Sequence, residues 1–310
     1  MKRAVSYILG ITLLLAAASV LYHENRQNLT PVMNVQRISV PNPTFYRLDL
    51  EDLRIAVLSD LHVAELEQAY AAMESLIDDV IAAKPDMVVL LGDYTQHPSD
   101  VADMESHRSR VIEILARLTD LPAFAVLGNY ETWSELHNWR SQLKAAGVSV
   151  LHNEVLETWV ADRAICLRGL GDAFTDQFEF TSFPRACRTL PKITMTHDPA
   201  AAFKPGVEGF LLAGHTHCGQ VALPRLTPLW VPSSAPAYAT CGLYEDNERL
   251  LWVSAGIGTS ILPIRLGVPA QWDLLTVGGL PCSEGCPGLI GTWQQNELCR
   301  IQLESLPDHN

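Results

Sequence analysis

Five short segments carry side chains suited to holding a divalent cation, and each of them follows an apolar run. Asp60 and His62 close RIAVLSDLH (54–62), Asp93 closes MVVLLGD (87–93) and Asn129 closes AFAVLGN (123–129). His197 ends KITMTH (192–197), and His215 with His217 ends GFLLAGHTH (209–217). Asp60 and His62 are two apart, as are His215 and His217, so in extended backbone each pair lies on one face. Two carboxylates, an amide oxygen and four imidazoles suit Mn, Fe or Zn better than Ca or Mg, which prefer oxygen. Alone, each segment reads as a turn or a structural histidine. Together, with glycine before the ligand at 92, 128 and 214, they point to a metal centre.

The elements that must bring these residues together are legible around them. The runs at 54–59, 87–91 and 123–127 read as short buried strands. Between them, Leu66, Tyr70, Met73, Ile77 and Val80 mark a helix that stops before Pro85. A second helix starts near Asp103, with Val111, Ile112, Leu115 and Leu118 on one face. In a third, Trp133, Leu136, Trp139 and Leu143 share a face that ends at Gly147. Strand and helix in alternation imply a largely parallel sheet, and ligands gather at the C-terminal rim of such a sheet. The second half differs: short β-like runs at 155–160, 164–168, 193–196, 208–212 and 250–254 are separated by Gly and Pro. The expectation is a second sheet packed on the first, with helices outside both.

Composition bounds the partners. The 310 residues have 48% hydrophobic content, enough for a full core, and a formal net charge of -13. That charge argues against nucleic acid as a general partner, because no excess cation is available for phosphate contacts. Phosphate chemistry would then need local positive charge, which metal ions supply. The seven cysteines show no metal-finger spacing; Cys282 and Cys286 flank a turn, and no disulfide is assigned.

The N-terminus is a separate object. Residues 4–22 carry no charge and follow Lys2 and Arg3. At 1.5 Å per residue such a helix spans roughly 28 Å, close to a bilayer core. The expectation is a single-pass anchor in the inner membrane over 1–23 with the remainder extracytoplasmic; the alternative is a cleaved signal and a secreted or periplasmic protein. Residues 24–50 read as a linker and entry strand, 51–280 as the globular domain and 281–310 as a tail.

The ordered set DLH (60–62), GD (92–93), GNYE (128–131), His197 and GHTH (214–217) resembles the calcineurin-like metallophosphoesterase superfamily, whose pattern is D-x-H, GD, GNH(D/E), H and GH-x-H. The resemblance extends over about 50–280. It implies an α/β fold, a four-layer αββα sandwich of two mixed sheets with helices outside, here preceded by a hydrophobic N-terminal helix. It implies two divalent metal ions, one held by Asp60, His62 and His217, the other by Asn129, His197 and His215, with Asp93 bridging. Asp93, Asn129, His217 and the residue at 130 are implied in catalysis. Such ions, roughly 3.5–4 Å apart, lower the pKa of a water and neutralise phosphate charge.

The departure is Tyr130, where the family usually has His; a phenol with a pKa of about 10 is poorly matched to proton transfer at neutral pH. Tyr130 either donates a hydrogen bond to substrate or packs beside Trp133. The tail SAGIGTSILPIRLGVPAQWDLLTV (254–277) is similar to the closing strand region of membrane-associated bacterial members. Gly256 and Gly258 there either cradle phosphate or form a tight loop, and Arg265 pairs with phosphate or with a structural carboxylate. The implied activity is hydrolysis of a phosphodiester, phosphomonoester or diphosphate bond in a phosphorylated small-molecule or lipid-linked substrate. A non-catalytic metal-bound scaffold and a Ser/Thr protein phosphatase are the alternatives. Nothing in the sequence speaks to oligomeric state.

Overall fold

The computed structural model describes residues 18–39, 52–222, 228 and 230–278. Helix α1 (18–28) leads into strand β1 (Val32–Ser39). Strand and helix then alternate through β2 (Leu53–Leu58), α2 (Glu67–Ala82), β3 (Met87–Leu90), α3 (Met104–Ala116) and β4 (Ala123–Ala125). Helices α4 (Asn129–Trp133) and α5 (Leu136–Ala145) and strand β5 (Ser149–Val150) complete the first half. The second half is β6 (Glu154–Val160), β7 (Arg163–Gly169), β8 (Lys192–Met195), β9 (Gly209–Ala213), β10 (Gly242–Glu245), β11 (Arg249–Val253) and β12 (Gln271–Gly278).

Two six-stranded mixed sheets result, ordered β1-β12-β2-β3-β4-β5 and β10-β11-β9-β8-β7-β6. Period-two alternation sorts the first sheet. Ile55, Val57, Met87 and Val89 face the second sheet and meet Leu167, Ile193, Met195, Phe210 and Leu212. Ala56, Leu58, Val88 and Leu90 face outward onto Met73, Ile77, Val80, Val111 and Leu115 of α2 and α3. Each buried Val, Leu, Ile, Phe or Met among these contributes roughly 1.5–3 kcal/mol. The outer layer over the second sheet is thinner: Leu211, Ala213, Leu251 and Val253 are covered by the 3₁₀ turn Pro199–Phe203 and its neighbours.

Within 24–50, expected as a linker and entry strand, β1 runs eight residues in parallel register with β12 and buries Ile38 between the sheets. One local expectation changes. The helix expected from Trp133 to Leu143 is split at Glu135, whose φ of 72° is left-handed. The split buries Trp139 and Leu143 but turns Trp133 outward, 49% exposed.

Among the described residues no helix is long and apolar enough to cross a membrane. The expected anchor falls mostly outside them, since only residues 18–23 of it belong to α1. The Cys282–Cys286 turn and the tail 281–310 also lie outside the described residues. Two disulfides that sequence spacing did not suggest are present, Cys166–Cys187 and Cys218–Cys241. Each joins segments brought together only by the fold.

Candidate metal centre

In both sheets the parallel strands end at one rim, and every expected ligand lies in a turn just past a strand end. Asp60 and His62 follow β2, Asp93 follows β3, Asn129 opens α4 after β4, His197 follows β8, and His215 with His217 follows β9. All seven side chains are buried, between 0% and 9% exposed. The backbone is not extended there: φ is 54° at Asp60, 44° at His62, 54° at Asp93, 66° at His215 and 49° at His217. The two-apart pairs therefore converge through left-handed turns rather than through strand alternation. Left-handed non-glycine residues are uncommon, and their clustering here marks a site whose geometry the fold over-determines. The turns also approach closely, since a Cβ on Gly92 would stand 2.5 Å from Gly128 N and leave no room for alanine.

Two ligand groups form. Asp60, His62 and His217 place ligand atoms within 4.8 Å of one another, and so do Asp93, His197 and His215. In the first group, His62 Nε2 and His217 Nε2 are 3.1 Å apart, and Asp60 Oδ1 lies 3.5 Å from His217 Nε2. In the second, His197 Nε2 is 3.1 Å from His215 Nδ1, 3.1 Å from Asn129 Oδ1 and 3.3 Å from Asp93 Oδ2. Asp93 Oδ2 also lies 3.8 Å from His62 Nε2, so it faces both groups.

Backbone groups orient the ligands. Asp60 Oδ2 accepts from His215 N–H, while Oδ1 is buried with no hydrogen-bond partner. Asp93 Oδ1 accepts from Tyr130 N–H at 2.9 Å, leaving Oδ2 for the centre. A carbonyl oxygen can only accept, so His197 Nδ1 donates to Leu91 O at 2.7 Å and His215 Nε2 donates to Pro232 O at 2.7 Å. In its neutral form His197 then aims the Nε2 lone pair at Asn129 Oδ1, Asp93 Oδ2 and His215 Nδ1. Four acceptor atoms that converge in this way call for positive charge, either a proton on His197 or a metal ion.

The electrostatics respond to that need. Burial acts to lower the His197 pKa, but the charge and hydrogen bond of Asp93, with Asp60 and Asp172, hold it well above the ordinary value. Burial acts to raise Asp93, and His197, His62 and His215 bring it instead down to about 2. Burial holds His62 below the usual imidazole value despite Asp93 and Asp60. His217 is held well below it by burial, with His62 and Arg265 adding to the effect. The first group thus keeps neutral imidazoles, and the second draws in a positive charge that a metal ion would supply. The donor set and the unpartnered Asp60 Oδ1 fit two such ions.

Glu131, the acidic residue of the GNYE motif, belongs to this site but is assigned no role from sequence. Its buried carboxylate accepts from Asp93 N–H and Tyr94 N–H, each at 2.8 Å, and from Gly128 N–H at 2.9 Å. It ties the turn after β3 to the turn after β4. Burial and the Asp93 charge push it up to about 7. The signal was present: a carboxylate two residues after Asn129, on the first turn of α4.

Tyr130 is 5% exposed, with its ring edge on His62 at 4.7 Å and its other neighbours Trp133 at 5.3 Å and His97 at 5.5 Å. Its hydroxyl is 3.0 Å from Ser260 Oγ, and burial raises its pKa further. Arg265 is held mainly by backbone carbonyls rather than by a structural carboxylate. Its buried guanidinium donates to the carbonyl oxygens of Ala255, Gly256, Gly258 and Pro269, and its Nη2 lies 3.1 Å from His217 Nδ1. Gly256 and Gly258 serve as tight packing: a Cβ on Gly256 would stand 2.8 Å from Asp60 Cβ, and Gly258 N–H donates to Asp60 O at 2.7 Å.

The sequence is also similar to known proteins. The model of the calcineurin-like phosphoesterase family matches residues 53–219. The chain is similar to "Phosphodiesterase YaeI" of Escherichia coli K12, with 29% identity over 241 residues, covering 74% of this chain and 84% of that one. It is similar to "Uncharacterized metallophosphoesterase YkuE" of Bacillus subtilis 168, with 27% identity over 236 residues, covering 73% and 79%. Among solved structures, a 5′-nucleotidase precursor from Thermus thermophilus superposes with a TM-score of 0.45 at 17% identity. That superposition covers 72% of this chain and 54% of that one.

Proposed function

Because the chain belongs to the calcineurin-like phosphoesterase family, we propose that its two ligand groups hold a pair of Mn, Fe or Zn ions and hydrolyse a phosphodiester in preference to a simple alkyl monoester. The observation that carries this reading is the convergence of His197 Nε2, His215 Nδ1, Asn129 Oδ1 and Asp93 Oδ2 beside the group of Asp60, His62 and His217. When bound, such ions supply Lewis acidity toward phosphoryl oxygens and a water nucleophile of lowered pKa.

The chain's own residues do the rest. Asp93 Oδ1 is held by Tyr130 N–H and Asp60 Oδ2 by His215 N–H, so each carboxylate presents its other oxygen without reorganising. Leu91 O and Pro232 O fix the imidazole tautomers. Tyr130 occupies the sequence position of the family's His, its hydroxyl 3.0 Å from Ser260 Oγ, and a phenol of raised pKa donates a hydrogen bond without giving up its proton. Substrates whose leaving group needs no protonation suffer least from that exchange. Diesters of acidic alcohols and diphosphates meet the condition. The test is hydrolysis of bis-p-nitrophenyl phosphate by the purified Mn-loaded chain. Turnover that exceeds that of a simple alkyl monoester such as glycerol phosphate is expected, and metal binding without turnover of either ester contradicts the reading.

An extracytoplasmic, membrane-side location remains part of this proposal. It is supported by the uncharged segment 4–22 and by two disulfides, which persist in oxidising compartments. Val20, Leu21 and Tyr22 on α1 and Ile261 and Leu262 beside Ser260 are exposed apolar side chains, between 51% and 80% accessible, as an interfacial surface requires. A lipid-linked phosphate substrate would be compatible with such a surface.

A further inference from the structure

Aromatic rings form an unbroken arc from one ligand group to the other. Tyr130 rests on His62 at 4.7 Å, Trp133 on Tyr130 at 5.3 Å, Phe174 on Trp133 at 6.2 Å, and His215 on Phe174 at 4.7 Å. Its inner members are buried against the ligands, but Trp133 and Phe174 are 49% and 43% exposed. Their planes meet at 65°, so the two rings make an open corner rather than a closed stack.

The corner is built from its supports outward. Left-handed Glu135 breaks the helix and turns Trp133 away from the core that takes Trp139. The loop after β7 that carries Phe174 is ordered by buried Asp172, which accepts from Phe174 N–H at 3.3 Å and Thr175 N–H at 3.0 Å. Thr175 then reaches Thr132 of α4 through their hydroxyls, 3.4 Å apart, tying one ring's support to the other's. Among the described residues, the cation–ring contacts fall at Trp139, Tyr70, Phe180, Phe183 and Phe203, not at this corner. A phosphate's charge is thus met at the metal groups, and what lies beside them is uncharged π surface. Such a corner offers a planar ring one face for stacking and one edge for a T-shaped contact.

Resting on the phosphoesterase reading above, we propose that Trp133 and Phe174 form the subsite for a planar ring on the substrate's ester group, so that aryl or nucleoside phosphoesters are preferred over alkyl ones. Stacking of this kind is sequence- and substituent-tolerant and amounts to roughly tenfold in affinity per ring. The ring adds affinity through contact with two side chains, and no new charge is involved.

The test measures binding without turnover. Equilibrium dialysis of the full Mn-loaded chain with phenylphosphonate, a thymidine phosphonate and methylphosphonate compares ringed and ringless anions whose C–P bond is not hydrolysed. About tenfold tighter binding of a ringed probe is expected, and which of the two binds tighter separates an aryl from a nucleoside substrate. Trp133→Ala with Phe174→Ala should bring the ratio close to unity, and Trp133→Phe should restore most of it. Both side chains are half-exposed, and metal content equal to the parent's checks that the variants fold. A parent ratio near unity, or a ratio unchanged in the double variant, overturns the inference. A ring preference that the double variant abolishes, in a chain that hydrolyses no phosphate ester, upholds the subsite and overturns the phosphoesterase reading instead.

Discussion

The two ligand groups use similar donors but are held in opposite ways. His197 and His215 are aimed by carbonyl oxygens, so each has its tautomer set by the backbone. In the other group, His62 Nδ1 is buried without a partner, and His217 Nδ1 faces the Arg265 guanidinium. The proton affinities divide the same way: His197 is held well above the usual value, and His62 and His217 are held below it. One group is geometrically fixed but competes with protons, whereas the other is less anchored but stays neutral. Asp93 is the carboxylate that faces both, and its pKa of about 2 keeps it ionised across the physiological range. The lesson is that imidazole chemistry alone does not set a metal site; the atoms behind each ring do.

The largest effect should come from Asp93→Ala, which removes the oxygen shared by both groups. Metal analysis should show both ions lost and activity down by about 10³-fold or more. If one ion were retained at full occupancy, the groups would be independent sites.

Acidification should separate the groups. Ligands must shed protons to bind metal, so affinity falls as pH falls. A His with a raised pKa takes up its proton at higher pH than one with a lowered pKa. As pH decreases, the His197 group should therefore release its ion first, while the group with His62 and His217 keeps its own. A pH titration of bound metal should show two steps of about one equivalent each. Release of both ions in one step would erase the distinction drawn here.

The smallest effect concerns proton delivery. Tyr130→His leaves the ligands in place, so metal content should not change. Turnover of alkyl monoesters relative to bis-p-nitrophenyl phosphate should rise by roughly 10²-fold, the scale of a general acid. An unchanged ratio would mean that Tyr130 serves as packing for His62 and Trp133.

Much of this site could be read in the sequence because it obeys a local rule. Each ligand follows a short buried strand, and the parallel sheets bring those ends to one rim. The order of Asp60, His62, Asp93, Asn129, His197, His215 and His217 survives folding without long-range surprises. What escaped reading depends on contacts that sequence spacing does not encode. Glu131 acts on backbone N–H groups 37 and 38 residues away. Cys218 pairs with Cys241, 23 residues on, and Cys166 with Cys187, 21 residues on. An entry strand is legible within 24–50, but its parallel pairing with β12 is not. Trp133 sat at helical spacing with Trp139, and only the left-handed residue between them reveals that it faces outward.

Metal content of the purified chain, measured by elemental analysis after loading with Mn and removal of free ion, tests the central claim most directly. The geometry predicts about two equivalents per chain, with magnetic coupling between them through a shared Asp93. About one equivalent, or two that show no coupling, would contradict a joined two-ion centre.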